Sequence, residues 1–174
     1  MLGSAWVGGG RDGNSPRTGD RLLEIGCGGG VAVATICSLL STGSITAIDR
    51  SATMTARARR RNADHVHAGR VTIVTAAFSV GELADSGIGG RRFDKIFAIN
   101  VNLFWTGPAR DELALAKNLL APGGTLHVFY EPPGRRTDEI VAKVTGALDA
   151  GGFAPAVTLS ASVLGIVARP RPAG

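Results

Sequence analysis

The 174-residue chain is poor in cysteine, histidine and aromatic residues. Its two cysteines, Cys27 and Cys37, are too few for a disulfide framework and are typical of a reducing compartment. We predict Cys27 in a turn and Cys37 in a helix, with Cys27 as a small residue tolerated in that turn rather than a nucleophile. Two cysteines and three histidines at these spacings predict no metal site.

Long apolar runs are also missing. No segment approaches the roughly 18 continuous apolar residues of a membrane span, and the N-terminus lacks the basic patch and apolar run of a signal peptide. We therefore expect a cytoplasmic protein with no membrane partner. The length suits one domain. Residues 1–19, rich in Gly, Ser and Asp, are expected to be flexible, and residues 20–170 to form the single domain.

Positive charge is in excess, with a formal net charge of +5. Arg57, Arg59, Arg60 and Arg61 cluster on one predicted helix, and a basic surface can attract nucleic acid or an acidic substrate. No aromatic residues interleave with these arginines to stack on bases. We therefore interpret the cluster as a solvated helix face, and a nucleic-acid partner is disfavoured.

A glycine-rich turn is the most informative motif. The apolar strand Leu22–Ile25 carries one acid, Glu24, and runs into Gly26-Cys27-Gly28-Gly29-Gly30, after which a helix-like segment follows. Glycine lets the backbone turn sharply and lets a ligand approach where a Cβ would clash. The following helix offers free N–H groups at its start. This pattern is typical of a nucleotide or nucleoside cradle.

Two features indicate which ligand the cradle takes. The dinucleotide fingerprint needs a third small residue, but Val31 stands there, and the carboxylate of Glu24 would repel a pyrophosphate. Asp49 ends the next apolar strand, where an acid can bind both hydroxyls of a ribose. A ribose with a positively charged group and no phosphate describes S-adenosylmethionine.

The chain alternates strands and helices, which predicts an α/β fold with a Rossmann-like, doubly wound, seven-stranded and mainly parallel sheet. Only Ala161 and Ser162 join the last two strands, so the C-terminal edge is expected to be an antiparallel hairpin. Strands are expected near 21–25, 45–49, 71–75, 94–99, 125–130, 156–160 and 163–168, and helices near 30–41, 51–63, 79–85, 108–120 and 137–149. Ser51 is predicted to cap the second helix, Pro108 to open the fourth, and Gly43 and Gly151 to stop helices.

Ligands bind beyond the carboxyl ends of the strands in such a sheet, at the switch in strand order. The glycine turn, Asp49, the segment 76–78 and the segment 100–105 follow the first four strands. The sequence therefore predicts that these four stretches converge on one cleft.

The order and spacing of these stretches resemble those of class I S-adenosylmethionine-dependent methyltransferases, in particular the small bacterial ones of generic small-molecule type. The resemblance covers roughly residues 19–169. It is carried by the segments 22–30, 45–50, 71–78, 93–105 and 120–131, the last with Pro122-Gly123-Gly124.

The resemblance implies roles for individual residues. Asn102 and Trp105 would face the methyl acceptor, and the cofactor would be bound by Glu24, Gly26, Cys27, Gly28, Gly30, Asp49, Arg50, Met54, Ala77, Phe78 and Asn100. Some alternatives stay open: Glu24 tying down the N-terminal segment, and Met54 and Trp105 as ordinary core residues. Many family members carry an acid near Ala77 to receive the adenine amino group. This chain has none there, so backbone groups are expected to recognise adenine.

No catalytic base is predicted. Methyl transfer is an in-line displacement that alignment can accelerate, and a base is needed only for a protonated nucleophile. His127 is expected to be packed within a strand, and His65 and His67 to lie in an exposed connection. Asn100-Val101-Asn102-Leu103 also differs from the Asn/Asp-Pro-Pro-aromatic sequence found in enzymes that methylate amines of bases or glutamine.

The resulting hypothesis is a domain that moves a methyl group from S-adenosylmethionine to a small-molecule acceptor and releases S-adenosylhomocysteine. The alternatives are a non-catalytic cofactor-binding partner subunit, a nucleic-acid methyltransferase, and a nicotinamide-dependent oxidoreductase, which Val31 and Glu24 disfavour. The first strand begins early and residues 132–136 form a short connection. An open cleft is therefore expected, covered at most by residues 1–19 or completed by a partner protein or a second copy of the chain.

Overall fold

Seven strands form one mixed sheet in the computed structural model, which describes residues 14–131, 136–160 and 163–172. The sheet order is β3-β2-β1-β4-β5-β7-β6; β1 to β5 pair in parallel and β7 pairs antiparallel with both β5 and β6. This confirms the predicted fold, although residues 161–162 lie outside the described residues. The strands are β1 (Arg21–Ile25), β2 (Ser44–Asp49), β3 (Val71–Thr75), β4 (Phe93–Ile99), β5 (Leu120–Tyr130), β6 (Phe153–Ser160) and β7 (Val163–Pro170).

Helices cover both faces of the sheet, and a short 3-10 turn spans Asn102–Phe104. Apolar side chains of β1 therefore pack in both directions: Leu22 packs with Val33 and Ile36 of α1, and Leu23 with Leu113 of α5. Strands that are covered on both faces carry nearly continuous apolar runs. The helices are α1 (Val31–Cys37), α2 (Ala52–Arg61), α3 (Ala63–His67), α4 (Val80–Asp85), α5 (Arg110–Leu119) and α6 (Thr137–Ala150).

Several helix boundaries differ from expectation. α1 ends at Cys37, so Gly43 lies in the turn before β2 instead of stopping that helix. The second predicted helix breaks at Asn62, which places His65 and His67 in α3 rather than in a connection. α5 begins at Arg110 because Ala109 adopts a left-handed conformation with φ of 45°, so Pro108 precedes the helix.

Two other helix signals are confirmed. The Ser51 hydroxyl accepts a hydrogen bond from the Met54 N–H at 3.3 Å and caps α2. Gly151 follows the last residue of α6 and donates its N–H to the Ala147 carbonyl at 2.8 Å.

β5 starts at Leu120, earlier than predicted, because Leu120 already pairs with β4 before the pairing is interrupted. Phe93 pairs with Leu120, and the next pair is Lys95 with Thr125. The residues between leave the register as a bulge, with Gly123 at φ of 76°. Pro122-Gly123-Gly124 therefore shapes the amino end of the sheet.

The described N-terminal residues lie at this same amino end. The Thr18 carbonyl accepts hydrogen bonds from the N–H groups of Ser41, Thr42 and Gly43 at 3.0, 3.1 and 2.9 Å. Residues 14–19 therefore do not cover the carboxyl edge, where the cleft was expected, and residues 1–13 lie outside the described residues. The connection at residues 132–135 also lies outside them.

Gly43 is expected to tolerate no side chain. A Cβ there would overlap the Asp20 carbonyl oxygen and lie 2.9 Å from the Gly19 carbonyl carbon. Gly43→Ala should lower the free energy of unfolding by about 1–3 kcal/mol, as overpacking does. Gly146→Ala is the matched control, because Gly146 is exposed within α6 with nothing within 4 Å of its Cβ position; it should raise stability by up to about 1 kcal/mol. Urea unfolding followed by circular dichroism measures both, and equal effects would contradict the packing argument.

Candidate functional site

A cavity of about 600 Å³ opens at the carboxyl ends of β1 to β4, beside the switch in strand order between β1 and β4. All four predicted stretches contribute to it. The predicted residues that line it are Gly26, Asp49, Arg50, Ala77, Phe78, Asn100 and Asn102. It is also lined by Ala76, Val101 and Leu103, which lie within the predicted stretches but were given no role of their own. Sequence reasoning missed Ile25, Ile48 and Thr106, which also line it.

The missed residues had a usable signal. Ile25 and Ile48 are the last apolar residues before the glycine turn and Asp49, so the end of each strand forms a wall of the cavity. Val101 and Leu103 alternate with the two predicted asparagines. The other predicted residues, Glu24, Cys27, Gly28, Gly30, Met54 and Trp105, are not among the lining residues.

Three glycines of the turn adopt left-handed φ angles, but their surroundings differ. A Cβ on Gly28 (φ 51°) would meet nothing within 4 Å, so open space lies before this residue. A Cβ on Gly26 would lie 2.7 Å from Val101 of the cavity wall. A Cβ on Gly30 would lie 2.9 Å from Ala58 and 2.6 Å from the amide of Asn62, so Gly30 allows close packing against α2.

The β2–α2 segment holds three successive residues of this turn. Asp49 Oδ2 accepts the Gly28 N–H at 2.9 Å, and Arg61 Nε donates to the Gly29 carbonyl at 3.0 Å. The buried Asn62 amide donates to the Gly30 carbonyl at 3.0 Å. Since each hydrogen bond comes from a different side chain, the backbone of the turn is fixed along its length.

The arginines of α2 are thus not only a solvated face. Arg61 binds the glycine turn, and Arg59 Nη2 donates to the Ile73 carbonyl of β3 at 2.8 Å. Both side chains are exposed, as expected of a solvated face, but each also donates to a backbone carbonyl of another element. Helical spacing shows which arginines share a face, but it does not show which of them reaches a backbone carbonyl on another element.

Asp49 is oriented at the rim of the cavity. Its Oδ1 accepts the Ser51 N–H at 2.9 Å, while Oδ2 is held by Gly28. Each carboxylate oxygen has a second lone pair, so the group can still accept hydrogen bonds from a pair of hydroxyls. Met54, in the first turn of α2, is 39% exposed.

Glu24 lies buried in β1, on the face of the sheet shared with Leu22, between Ala47 and Phe97 of the neighbouring strands. Burial, together with the charge of Asp49, raises the pKa of Glu24 to about 8. Within the described part of the chain, its Oε2 has no hydrogen-bond partner. Glu24 is therefore mostly protonated at pH 7, and a cation beside it would favour its ionised form.

Cys27 is also held in its neutral form. Burial and the nearby Glu24 raise the pKa of its thiol to about 12, so the thiolate is not populated near neutrality. Cys27 lies in the turn and Cys37 in α1, and both are free. This geometry favours the packing interpretation of Cys27 over the nucleophilic one.

The stretch after β3 brings a carboxylate that sequence reasoning missed. Glu82 Oε2, from the first turn of α4, accepts the Ala77 N–H at 2.7 Å. The signal was the spacing of Ser79 and Glu82, which is that of a capping box; the Ser79 hydroxyl accepts the Glu82 N–H at 3.4 Å.

The stretch after β4 is anchored to β5. Asn100 has φ of 54°, a conformation that asparagine tolerates better than most residues. Its Oδ1 accepts the Glu131 N–H at 2.9 Å, which leaves the amide N–H groups as its donors toward a ligand. The Tyr130 hydroxyl donates to the Val101 carbonyl at 3.0 Å, and burial raises the pKa of that hydroxyl.

Comparisons with known proteins place this chain in a family. A family model described as a methyltransferase domain matches residues 23–126, from β1 into β5. The chain belongs to the class I methyltransferase family. An uncharacterized protein of Synechococcus sp. is 36% identical over 130 residues, which are 71% of this chain and 28% of that protein. The matched part of this chain thus spans little more than a quarter of that relative's length.

Solved structures show the same fold. The CurJ carbon methyltransferase has a TM-score of 0.68 at 23% identity, with 88% of this chain and 49% of that chain covered. DhpI in complex with S-adenosylhomocysteine has a TM-score of 0.68 at 20% identity, covering 88% and 78%. Aeropyrum pernix fibrillarin with bound S-adenosyl-L-methionine has a TM-score of 0.67 at 15% identity, covering 88% and 67%. These likenesses are ones of fold.

Asn102 and Trp105 form a hydrogen-bonded pair at the outer side of this cavity. Trp105 Nε1 donates to Asn102 Oδ1 at 3.1 Å, so the amide N–H groups of Asn102 remain as its donors. Trp105 is half-buried against the core, and Lys143 Nζ lies 5.8 Å from its ring centroid. The structure therefore places Asn102 on the cavity and Trp105 behind it.

Titratable groups are scarce around the cavity. His127 is fully buried in β5, as predicted, where its Nε2 lies 2.7 Å from Thr125 Oγ1 and burial lowers its pKa to about 3. Across the described ranges, no three His, Cys, Asp or Glu residues are grouped so that they could hold a metal ion. No helix of these ranges is both long and apolar enough to cross a membrane.

Glu24→Gln should change how the stability of the domain depends on pH. The folded chain keeps a proton on Glu24 up to pH about 8, whereas an unfolded glutamate loses it near pH 4.3. The free energy of unfolding should therefore fall as pH rises through this window, by about 1.4 kcal/mol per unit of pKa difference. Glutamine cannot ionise, so the variant should be the more stable protein at pH 8. The His127 contribution is common to both proteins. If the free energies of unfolding of the two proteins, measured with urea, depend on pH in the same way, Glu24 does not have the raised pKa.

Arg61→Ala should loosen the glycine turn without unfolding the domain. A net hydrogen-bond contribution of about 1 kcal/mol corresponds to roughly fivefold faster opening, which amide hydrogen exchange at residues 28–30 measures. Arg60→Ala is the matched control, because the described chain gives the exposed Arg60 no side-chain hydrogen bond or ion pair. Equal exchange rates in the two variants would show that Arg61 does not hold the turn.

Proposed function

We propose that this chain is an S-adenosylmethionine-dependent methyltransferase that holds its cofactor in the cavity at the carboxyl edge and releases S-adenosylhomocysteine. The observation that carries the proposal is that the glycine turn, the Asp49 carboxylate and the Ala77–Phe78 wall meet in one cavity of about 600 Å³. A nucleoside with a cationic tail matches these groups.

The residues present fit each part of the cofactor. Asp49 would accept hydrogen bonds from the ribose hydroxyls, and Ala77 and Phe78 would flank the adenine together with Arg50. The open space at Gly28 lets the ligand approach the turn, which Cys27 and Gly30 shape from behind. Glu24, whose Oε2 is unpartnered in the described chain, would compensate the positive methionine end with Gly26 and Asn100 nearby.

The chain's own residues would act by alignment. The bound cofactor supplies a methyl group on a positively charged sulfur, already activated for displacement. Asn102 and Thr106 offer polar groups at the cavity wall to orient an acceptor, and the apolar Val101 and Leu103 exclude water around the reacting atoms. Orientation alone can contribute several kcal/mol to the acceleration of a bimolecular step.

The described lining contains Asp49 and Arg50 as its ionisable side chains, with no histidine, lysine or glutamate. An acceptor would therefore attack as an already deprotonated nucleophile or lose its proton to water. We propose a small molecule of this kind, a cytoplasmic location, and a partner protein or second copy that covers the open cleft. The same scarcity of bases favours the second candidate, a non-catalytic cofactor-binding subunit.

Titration calorimetry with S-adenosylmethionine, S-adenosylhomocysteine and NAD tests the proposal. We expect saturable binding of the two adenosyl ligands and none of NAD. Asp49→Ala should weaken S-adenosylhomocysteine binding by about 1–3 kcal/mol, the cost of leaving hydroxyls without a charged acceptor. Asp85→Ala, an exposed acid at the end of α4, is the control and should bind as the wild type does.

The outcomes separate the hypotheses. Wild-type affinity in Asp49→Ala would place the ribose elsewhere, and saturable NAD binding would favour the oxidoreductase. A folded protein that binds neither adenosyl ligand would overturn the cofactor assignment. Binding with no methyl transfer to any small-molecule acceptor from a labelled cofactor would favour the non-catalytic subunit.

A further inference from the structure

A second, smaller cavity of about 230 Å³ lies at the opposite edge of the sheet, at the amino ends of β1, β4 and β5. Five of its nine lining residues are charged. It is lined by Arg17, Asp20, Asp94, Lys95 and Arg169, and by the bulge at residues 122–125. The family assignment and the proposed cofactor site leave this cavity without a role.

Lys95 is the most informative of these residues, because its side chain is only 7% exposed. Its ammonium lies 3.3 Å from Asp20 Oδ2, and that same oxygen accepts the Arg17 N–H at 2.9 Å. An ammonium carries three donors, and the described chain provides this one carboxylate contact. A buried charge that is incompletely paired costs several kcal/mol. Lys95 lines the cavity, so its ammonium has donors left for an acceptor there.

The charges around the cavity do not balance. Asp94 is occupied by Arg21, which donates its backbone N–H at 2.8 Å and its Nε at 3.2 Å. Asp20 is occupied by Lys95. In the part of the chain that the structure describes, Arg17 and Arg169 have no carboxylate within 4 Å, so four cations face two carboxylates.

The positive charges of Lys95 and Arg169 also act on the neutral His127 ring. His127 lies in β5 two residues after Thr125, and Lys95 and Arg169 both act to lower the pKa of its ring, after the larger effect of burial. The exposed Arg169 donates to Asn14 Oδ1 at 3.3 Å, which leaves other guanidinium N–H groups of its fork for a ligand.

We propose that this cavity is an anion site for a phosphate-sized oxyanion, bound by the Lys95 ammonium and by the guanidinium groups of Arg17 and Arg169. Guanidinium groups match the oxygens of a phosphate with two parallel hydrogen bonds. The ligand is inorganic phosphate or the terminal phosphate of a small phosphomonoester. Because the site lies at the opposite edge from the carboxyl-edge cavity, this proposal does not rest on the proposed function.

A nuclear magnetic resonance titration with inorganic phosphate at constant ionic strength tests the site, with the amides of Gly123, Gly124 and Thr125 as reporters. We expect saturable shifts with one dissociation constant. Arg17→Ala and Arg169→Ala should each weaken binding about tenfold, the effect of losing one charge-assisted hydrogen bond. Both residues are exposed, so the variants should fold. Lys95→Met is a less suitable test, because it removes a buried ion-pair partner of Asp20. Arg92→Ala is the control, because Arg92 is exposed and is not among the residues that line the cavity.

Three results would overturn the proposal. One is a set of shifts that grow linearly without saturation, and another is equal binding in Arg17→Ala, Arg169→Ala and Arg92→Ala. A third is affinity for polyphosphate that rises with chain length and falls equally in all three variants, because that would indicate general attraction of a polyanion to a basic surface. If a phosphomonoester binds more tightly than inorganic phosphate and loses affinity in the two cavity variants, the ligand is a phosphomonoester.

Discussion

The fixed glycine turn is the constraint on which the carboxyl-edge cavity depends. Gly26, Gly28 and Gly30 all take left-handed φ angles, and glycine loses more conformational freedom on folding than any other residue. Asp49 accepts a hydrogen bond from Gly28, and Arg61 and Asn62 donate to Gly29 and Gly30, which offsets that loss. One segment, from the end of β2 to the end of α2, thus supplies both the carboxylate at the rim and the bracing of the turn. Under the proposed function, cofactor affinity would therefore depend on the integrity of α2.

The sheet and most of the cavity were predictable because they follow from periodicity and from turn chemistry. Apolar runs located the strands, the glycines marked the first turn, and Asp49 followed from its position at the end of β2. Contacts between elements distant in sequence could not be predicted. Arg61 reaches Gly29 across 32 positions, and Asn100 accepts the Glu131 N–H across 31. The register break in β5 depends on pairing with β4, which no local pattern encodes.

The carboxylates of Asp49 and Glu24 have different environments at the candidate site. Asp49 has N–H donors on both oxygens and lies at the rim, whereas Glu24 is buried with one oxygen unpartnered among the described residues. A buried acid of this kind costs stability at neutral pH. A cationic ligand that pairs with Glu24 would offset that cost. Under the proposed function, binding of the cofactor would ionise Glu24 and release a proton. The empty and loaded domains would then differ in electrostatics without a change of fold.

The scarcity of ionisable groups in the cavity is consistent with a displacement at an activated carbon. Such a reaction needs alignment and exclusion of water more than proton transfer. Alignment is supplied by rigid parts: Asn100 is fixed by Glu131, Val101 by Tyr130 and Asn102 by Trp105. Each of these contacts ties the segment after β4 to β5 or to its own turn. Acceptor selectivity would accordingly depend on this segment and on whatever covers the cleft, because the strands beneath are common to the fold.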